Sequence, residues 1–126
     1  RSLESARLLN PARTPIVDSG FREAGISSPE LITLRLNPQL WGFLARIAWC
    51  FGWSPNGESF RDARDRAVAA AERLQEHALR ERSIILIGHR IFNMLLAREL
   101  RRTGWHGPSW LAGGYWGAST FRCALD

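Results

Sequence analysis

Residues 83–87, Ser-Ile-Ile-Leu-Ile, run without a charge into Gly88-His89-Arg90, and a helical pattern starts directly afterwards. A short, continuous β-branched run of this kind reads as a strand buried on both faces, so it demands partners on either side. Helical patterns flank it. Upstream, Ser59 with Asp62 three residues later forms a capping box, and Phe60, Ala63, Ala67, Ala70, Leu74 and Ala78 keep helical period to about Arg82. Downstream, a helix over residues 91–103 turns Leu95, Leu96 and Leu100 inward, carries Arg101 and Arg102 at its carboxyl end, and stops at Gly104. Helix, strand, helix implies an α/β chain.

The remaining segments are shorter. Leu3, Ala6 and Leu9 give residues 2–9 one apolar helical face, closed by Asn10-Pro11. Residues 14–17 are β-prone and end at Asp18-Ser19-Gly20, a strand and turn. A further helix begins at Asn37-Pro38, with Leu40, Leu44, Ile47, Ala48 and Phe51 on one side and Trp41, Trp49 and Trp53 around it, and ends at Pro55-Asn56-Gly57. The tail, residues 107–126, is rich in Gly and Trp, and a last strand fits residues 119–124. At 126 residues, 45% of them hydrophobic, the chain is expected to form a single domain over 1–126. It has no initiator Met and opens in helix, so it is expected to start inside that domain.

Charge and cysteine usage narrow the partners. All 17 basic residues are Arg, giving a net charge of +5 carried by guanidinium groups, which suit phosphate or carboxylate. Nucleic acid is not expected, because the Arg residues between Arg61 and Arg82 are interleaved with Asp and Glu and form no stripe. No membrane span is expected: the longest apolar stretch, residues 40–53, is too short and contains Arg46. Cys50 and Cys123 have neither metal-ligand spacing nor a disulfide pattern, so both are expected to be buried thiols of a cytoplasmic protein without metal or cofactor.

His89 stands where an apolar strand meets a helix, a position at which unpaired helix amides favour an anion. Glu58, next to the Ser59 cap, reads either as a carboxylate complementing the positive helix end or as a general acid. His77 and His106 are expected to be solvated.

Gly57-Glu58-Ser59 opening a charged helix, then an apolar strand into Gly88-His89, then an amphipathic helix, resembles the second half of the histidine phosphatase (phosphoglycerate-mutase-like) superfamily. Arg1-Ser2-Leu3-Glu4-Ser5-Ala6 is similar to that family's helix with a leading phosphate-binding Arg, and Phe21-Arg22-Glu23-Ala24-Gly25 resembles the segment after its next strand. The resemblance implies a mixed, mostly parallel sheet flanked by helices on both faces, incomplete here at the amino end. It also implies metal-independent phosphoryl transfer through a phosphohistidine from an Arg-His-Gly motif, and no Arg-His-Gly occurs in these residues. Carried over residue by residue, His89 and Arg1 hold phosphate and Glu58 protonates the leaving group. Arg90 stands where the family most often has a small residue and either adds a phosphate contact or fills the pocket. Arg22 and Glu23 are pocket-lining candidates, with Glu23 ranked behind Glu58 as acid.

The expected partner is a phosphorylated small molecule, and the competing reading is a non-catalytic homologue that binds phosphorylated ligands or a protein. Residues 31–53 fall where the family inserts its variable lid. Their Trp-rich helix is either plain core or an exposed lid or subunit contact of a homo-oligomer.

Overall fold

The computed structural model describes residues 2–26, 37–55, 57–114 and 116–123. Their elements are α1 (Ser2–Leu9), a 3-10 turn (Ser19–Phe21), α2 (Pro38–Cys50), α3 (Phe60–Glu81) and α4 (Arg90–Arg102). The chain divides into two compact units, residues 24–66 on the one hand and residues 1–23 with 67–126 on the other.

The larger unit is organised by small side chains on α3. Ala67, Ala70, Ala71 and Leu74 recur at three- and four-residue steps and form a shallow buried face that clusters with Phe92, Leu96 and Leu100 of α4. Phe21, Leu86, Leu95, Trp105 and Phe121 pack around that cluster. The end of α4 follows from its sequence. Gly104 takes φ +90, the Trp105 amide donates to the Leu100 carbonyl at 3.0 Å, and Trp105 returns its ring to the core, which is a Schellman ending. The 3-10 turn is fastened to α3 as well. Asp18 accepts from the Gly20 amide at 2.7 Å and pairs with Arg73 at 3.3 Å, and the Arg73 guanidinium lies 6.0 Å from the centre of the Phe21 ring.

In the smaller unit Asn37 caps α2 by accepting from the Gln39 amide at 2.9 Å, with Pro38 in the first turn. Gly52, at φ +91, ends it as Gly104 ends α4, with the Trp53 amide donating to the Ala48 carbonyl. Trp49 is the buried residue of α2. Its indole donates to the Glu58 carbonyl at 2.7 Å, and its ring meets Phe60 edge-on, with centroids 5.1 Å apart. Ser59 accepts from the Asp62 amide at 3.1 Å and donates to its carboxylate at 2.7 Å, the capping box the sequence indicates.

Two expectations, the strands and the buried cysteines, are not met among the described residues. Among the described residues there is no strand, and one isolated antiparallel bridge, His106 with Arg122, is all the ladder pairing of residues 107–123. A strand exists only through a partner backbone, and residues 14–17 and 83–87 meet none here. Ile16 and Ile85 are accordingly 79% and 77% exposed, although their composition suits a sheet interior. The cysteines also differ: Cys50 is exposed and Cys123 half-buried, because Cys50 is turned about 100° around α2 from the inward Trp49. Among the described residues no helix is long and apolar enough to cross a membrane, and no group of acidic, His or Cys residues could hold a metal ion.

Phe92 is fully buried, so Phe92→Ala is expected to lower the unfolding free energy by about 3–5 kcal/mol. Ile85→Ala in the same chain should change it by less than about 0.5 kcal/mol. Urea unfolding of the two variants checks this, and a large loss at Ile85 would mean that residues 83–87 are already covered.

Candidate active site

Gly88, between the extended segment and α4, leaves room for the Asn93 side chain. A Cβ there would lie 2.6 Å from the Asn93 side-chain oxygen, and Asn93 is the residue whose amide caps back to the His89 carbonyl at 2.9 Å. His89 is the residue before the first turn of α4, with extended backbone (φ −101, ψ 147) and no side-chain capping bond. Its imidazole is therefore not consumed by the helix it precedes, and it stands half-exposed.

Glu23 reaches this same place from 69 residues away. One carboxylate oxygen accepts from the Phe92 amide at 3.2 Å, and the other lies 3.6 Å from the His89 Nδ1. The first contact satisfies an amide in the first turn of α4, which has no partner inside the helix. The second is an ion pair only when the imidazole is protonated. Both side chains are more than one-third exposed, so the pair contributes little to stability, and its chemical value is to orient the ring beside a carboxylate. Glu23 is held there because the preceding turn, Ser19–Phe21, is anchored on α3 through Asp18, Arg73 and Phe21.

His89 and Arg90 also line a cavity of about 620 Å³ in the larger unit, whose walls include Leu74, Leu86, Leu96 and Phe121. Arg90 is exposed, and its guanidinium extends toward Gly113 in the Gly-rich tail, 3.8 Å from where a Cβ at that glycine would stand. The oxygen of Asn93, also in the lining, is buried without a hydrogen-bond partner.

Glu58 belongs to the smaller unit. Both of its oxygens accept from Arg66, from Nε at 2.7 Å and from the terminal NH2 at 2.6 Å, and one also lies 3.4 Å from the Gly25 amide. The pair is largely buried, with side chains 13% and 11% exposed, and this bidentate fork fixes the carboxylate firmly. Arg22 follows the Ser19–Phe21 turn, its amide donating to the Ser19 carbonyl at 3.2 Å. Arg1 lies outside the described residues, as do residues 31–36 of the segment read as a lid. His77 shares a 2.8 Å hydrogen bond with Arg80, and His106 is exposed, its backbone bridging to Arg122.

Of the residues singled out in the sequence, the structure thus brings His89 together with Glu23 and sets Arg90 on the same cavity wall as His89. The role of Glu23 at α4 could not be found by spacing, since it is a contact across most of the chain.

Residues 1–123 match the family model of the histidine phosphatase superfamily (branch 1). The chain belongs to that superfamily. No curated protein and no solved structure matches it significantly. Histidine phosphatase superfamily members are α/β proteins of phosphatase or mutase type that bind phosphorylated substrates. In this superfamily member the His89 and Glu23 pair stands at the start of α4, an end of a helix where the unpaired amides favour negative charge.

Glu23→Ala should lower the stability of this superfamily member by about 0.5–2 kcal/mol, the usual loss when a helix-start amide loses its side-chain acceptor. Glu23→Gln keeps an acceptor oxygen and should recover most of it. Amide hydrogen exchange at Phe92 reads the effect directly, and equal exchange in all three proteins would contradict the capping role.

Proposed function

We propose that this chain is the phosphate-holding part of a metal-independent phosphate monoester hydrolase or mutase that works through a phosphohistidine. The observation that carries the reading is the His89 imidazole standing at the amino end of α4 beside the Glu23 carboxylate. His89, with the α4 amides, holds the phosphoryl oxygens, and Arg90 and Arg1 supply further charge-assisted donors. The histidine that accepts the phosphoryl group comes from an Arg-His-Gly segment that is not among these 126 residues.

That segment is proposed to enter as a strand beside residues 83–87, completing a mixed, mostly parallel sheet between the helices. Three observations support this: the exposed Ile84 and Ile85, the 620 Å³ cavity with largely apolar walls that Ile84 helps to line, and the unpartnered Asn93 oxygen, which accepts and so suits a backbone N–H better than an anion. The space is open to solvent on one side and its walls are largely apolar, which suits a covering polypeptide segment.

Two carboxylates compete for the role of general acid. Glu58 is the choice by sequence resemblance, but an acid must release a proton to the leaving oxygen, and both Glu58 oxygens are engaged by the Arg66 fork. Glu23 also has both oxygens in contact, with the Phe92 amide and the His89 ring, but no guanidinium fork is among those contacts and about two-fifths of its side chain is exposed, which favours it over Glu58. Hydrolase and mutase share every group named here and differ in whether water or a second substrate molecule takes the phosphoryl group.

The test uses a protein in which the Arg-His-Gly segment precedes these residues, assayed with chelator present. Glu23→Gln should lower turnover by about 10²–10⁴ on an alkyl phosphate and much less on an activated aryl phosphate, whose leaving group needs little protonation. Glu58→Gln should affect both esters alike. The reverse pattern would give the acid's role to Glu58, and phosphate binding without turnover of either ester would reduce the site to a binding module for phosphorylated ligands.

A further inference from the structure

The side chains of α2 divide into two apolar faces, and only one of them is used among the described residues of the smaller unit. Trp49 is buried, with Trp41, Ala45 and Ala48 beside it half-buried, while Leu40, Phe43, Leu44 and Ile47 form an exposed stripe at three- and four-residue steps. Phe51, at the helix end, extends the stripe and is 88% exposed, and Trp53 follows it. A helix apolar on all sides belongs in an interior, so this stripe calls for a cover.

We propose that the outward face of α2 is a two-fold interface between two copies of this chain. Area is the first argument. Taking about 200 Å² for a large apolar side chain, the six exposed residues present on the order of 600 Å² per copy. Two copies would bury roughly 1,200 Å², at the lower end of the range for specific interfaces and above the level of incidental contacts.

Charge is the second argument, and it selects the partner. Arg46 is the one charged residue of α2; it flanks the stripe, and its guanidinium donates to the Gly42 carbonyl at 2.7 Å. A different protein would be recognised through charges that set register and reject competitors, and the stripe residues themselves are all uncharged, with Arg46 alone at their edge. A two-fold axis sets like against like, which costs nothing when the surface is uncharged. A membrane surface fits less well, because interfacial helices carry a cationic polar face, and the opposite face of α2 is occupied by Trp49 and its neighbours.

The proposal does not depend on the phosphate chemistry and is tested separately. Sedimentation equilibrium of the whole chain should give a mass twice the 14.3 kDa of one copy at micromolar concentration. Phe43→Glu and Phe51→Arg, both at exposed positions, should each raise the dissociation constant at least tenfold. The indole proton resonance of Trp49, bonded to Glu58 on the opposite side, should stay in place and report an intact fold. A wild-type chain that stays monomeric at tens of micromolar would overturn the proposal. So would dimers unaffected by both substitutions, or binding to neutral lipid vesicles in place of self-association.

Discussion

The contact on which the larger unit depends is the packing of α4 on the alanine face of α3. Ala67, Ala70 and Ala71 have side chains too short to hold α4 away, so Phe92, Leu96 and Leu100 seat directly against them. Phe92 then has two duties. Its ring fixes the depth of α4 in the core, and its amide, in the first turn, takes the Glu23 carboxylate. The placement of His89 three residues earlier is a consequence of that seat, so the chemistry of the site is tied to hydrophobic packing through one residue.

The two carboxylates at issue illustrate how environment separates groups of the same type. Glu58 is fixed by a largely buried, two-pronged guanidinium contact, and breaking such a pair by removing one partner is typically costly, by about 3–5 kcal/mol. That is the behaviour of a structural group that ties the start of α3 to Gly25 and Arg66. Glu23 contacts a backbone amide and an imidazole and keeps about two-fifths of its side chain exposed. Membership in the histidine phosphatase superfamily gives this contrast a chemical setting, since a phosphate ester needs both a held phosphoryl group and a proton for its leaving oxygen.

Helices were legible in the sequence because their signals are local. The Ser59 and Asp62 box, Asn37-Pro38, and the glycines at 52 and 104 mark ends that the structure reproduces to within a few residues. The runs at 14–17 and 83–87 have the composition of strands, but pairing is a property of two segments, and the partner backbone is not among the described residues. The site was half legible for the same reason. His89 announces itself through Gly88 and the adjoining helix, whereas Glu23 is joined to it only by folding, in a contact that also takes the Phe92 amide 69 residues away. The outward stripe of α2 was visible as a periodicity, and only the burial of Trp49 shows which of its two apolar faces is turned inward.

The central claim is that His89 holds phosphate and does not attack it. It is tested most directly by trapping the phosphoenzyme of a protein that joins an Arg-His-Gly segment to these residues, with peptide mapping of the labelled histidine under alkaline conditions that preserve phosphohistidine. The account predicts that the label falls on the histidine of the Arg-His-Gly segment, that His89→Ala lowers its yield, and that the 126-residue chain alone takes up none. Label on His89 itself, or brisk phosphorylation of the 126-residue chain, would contradict it.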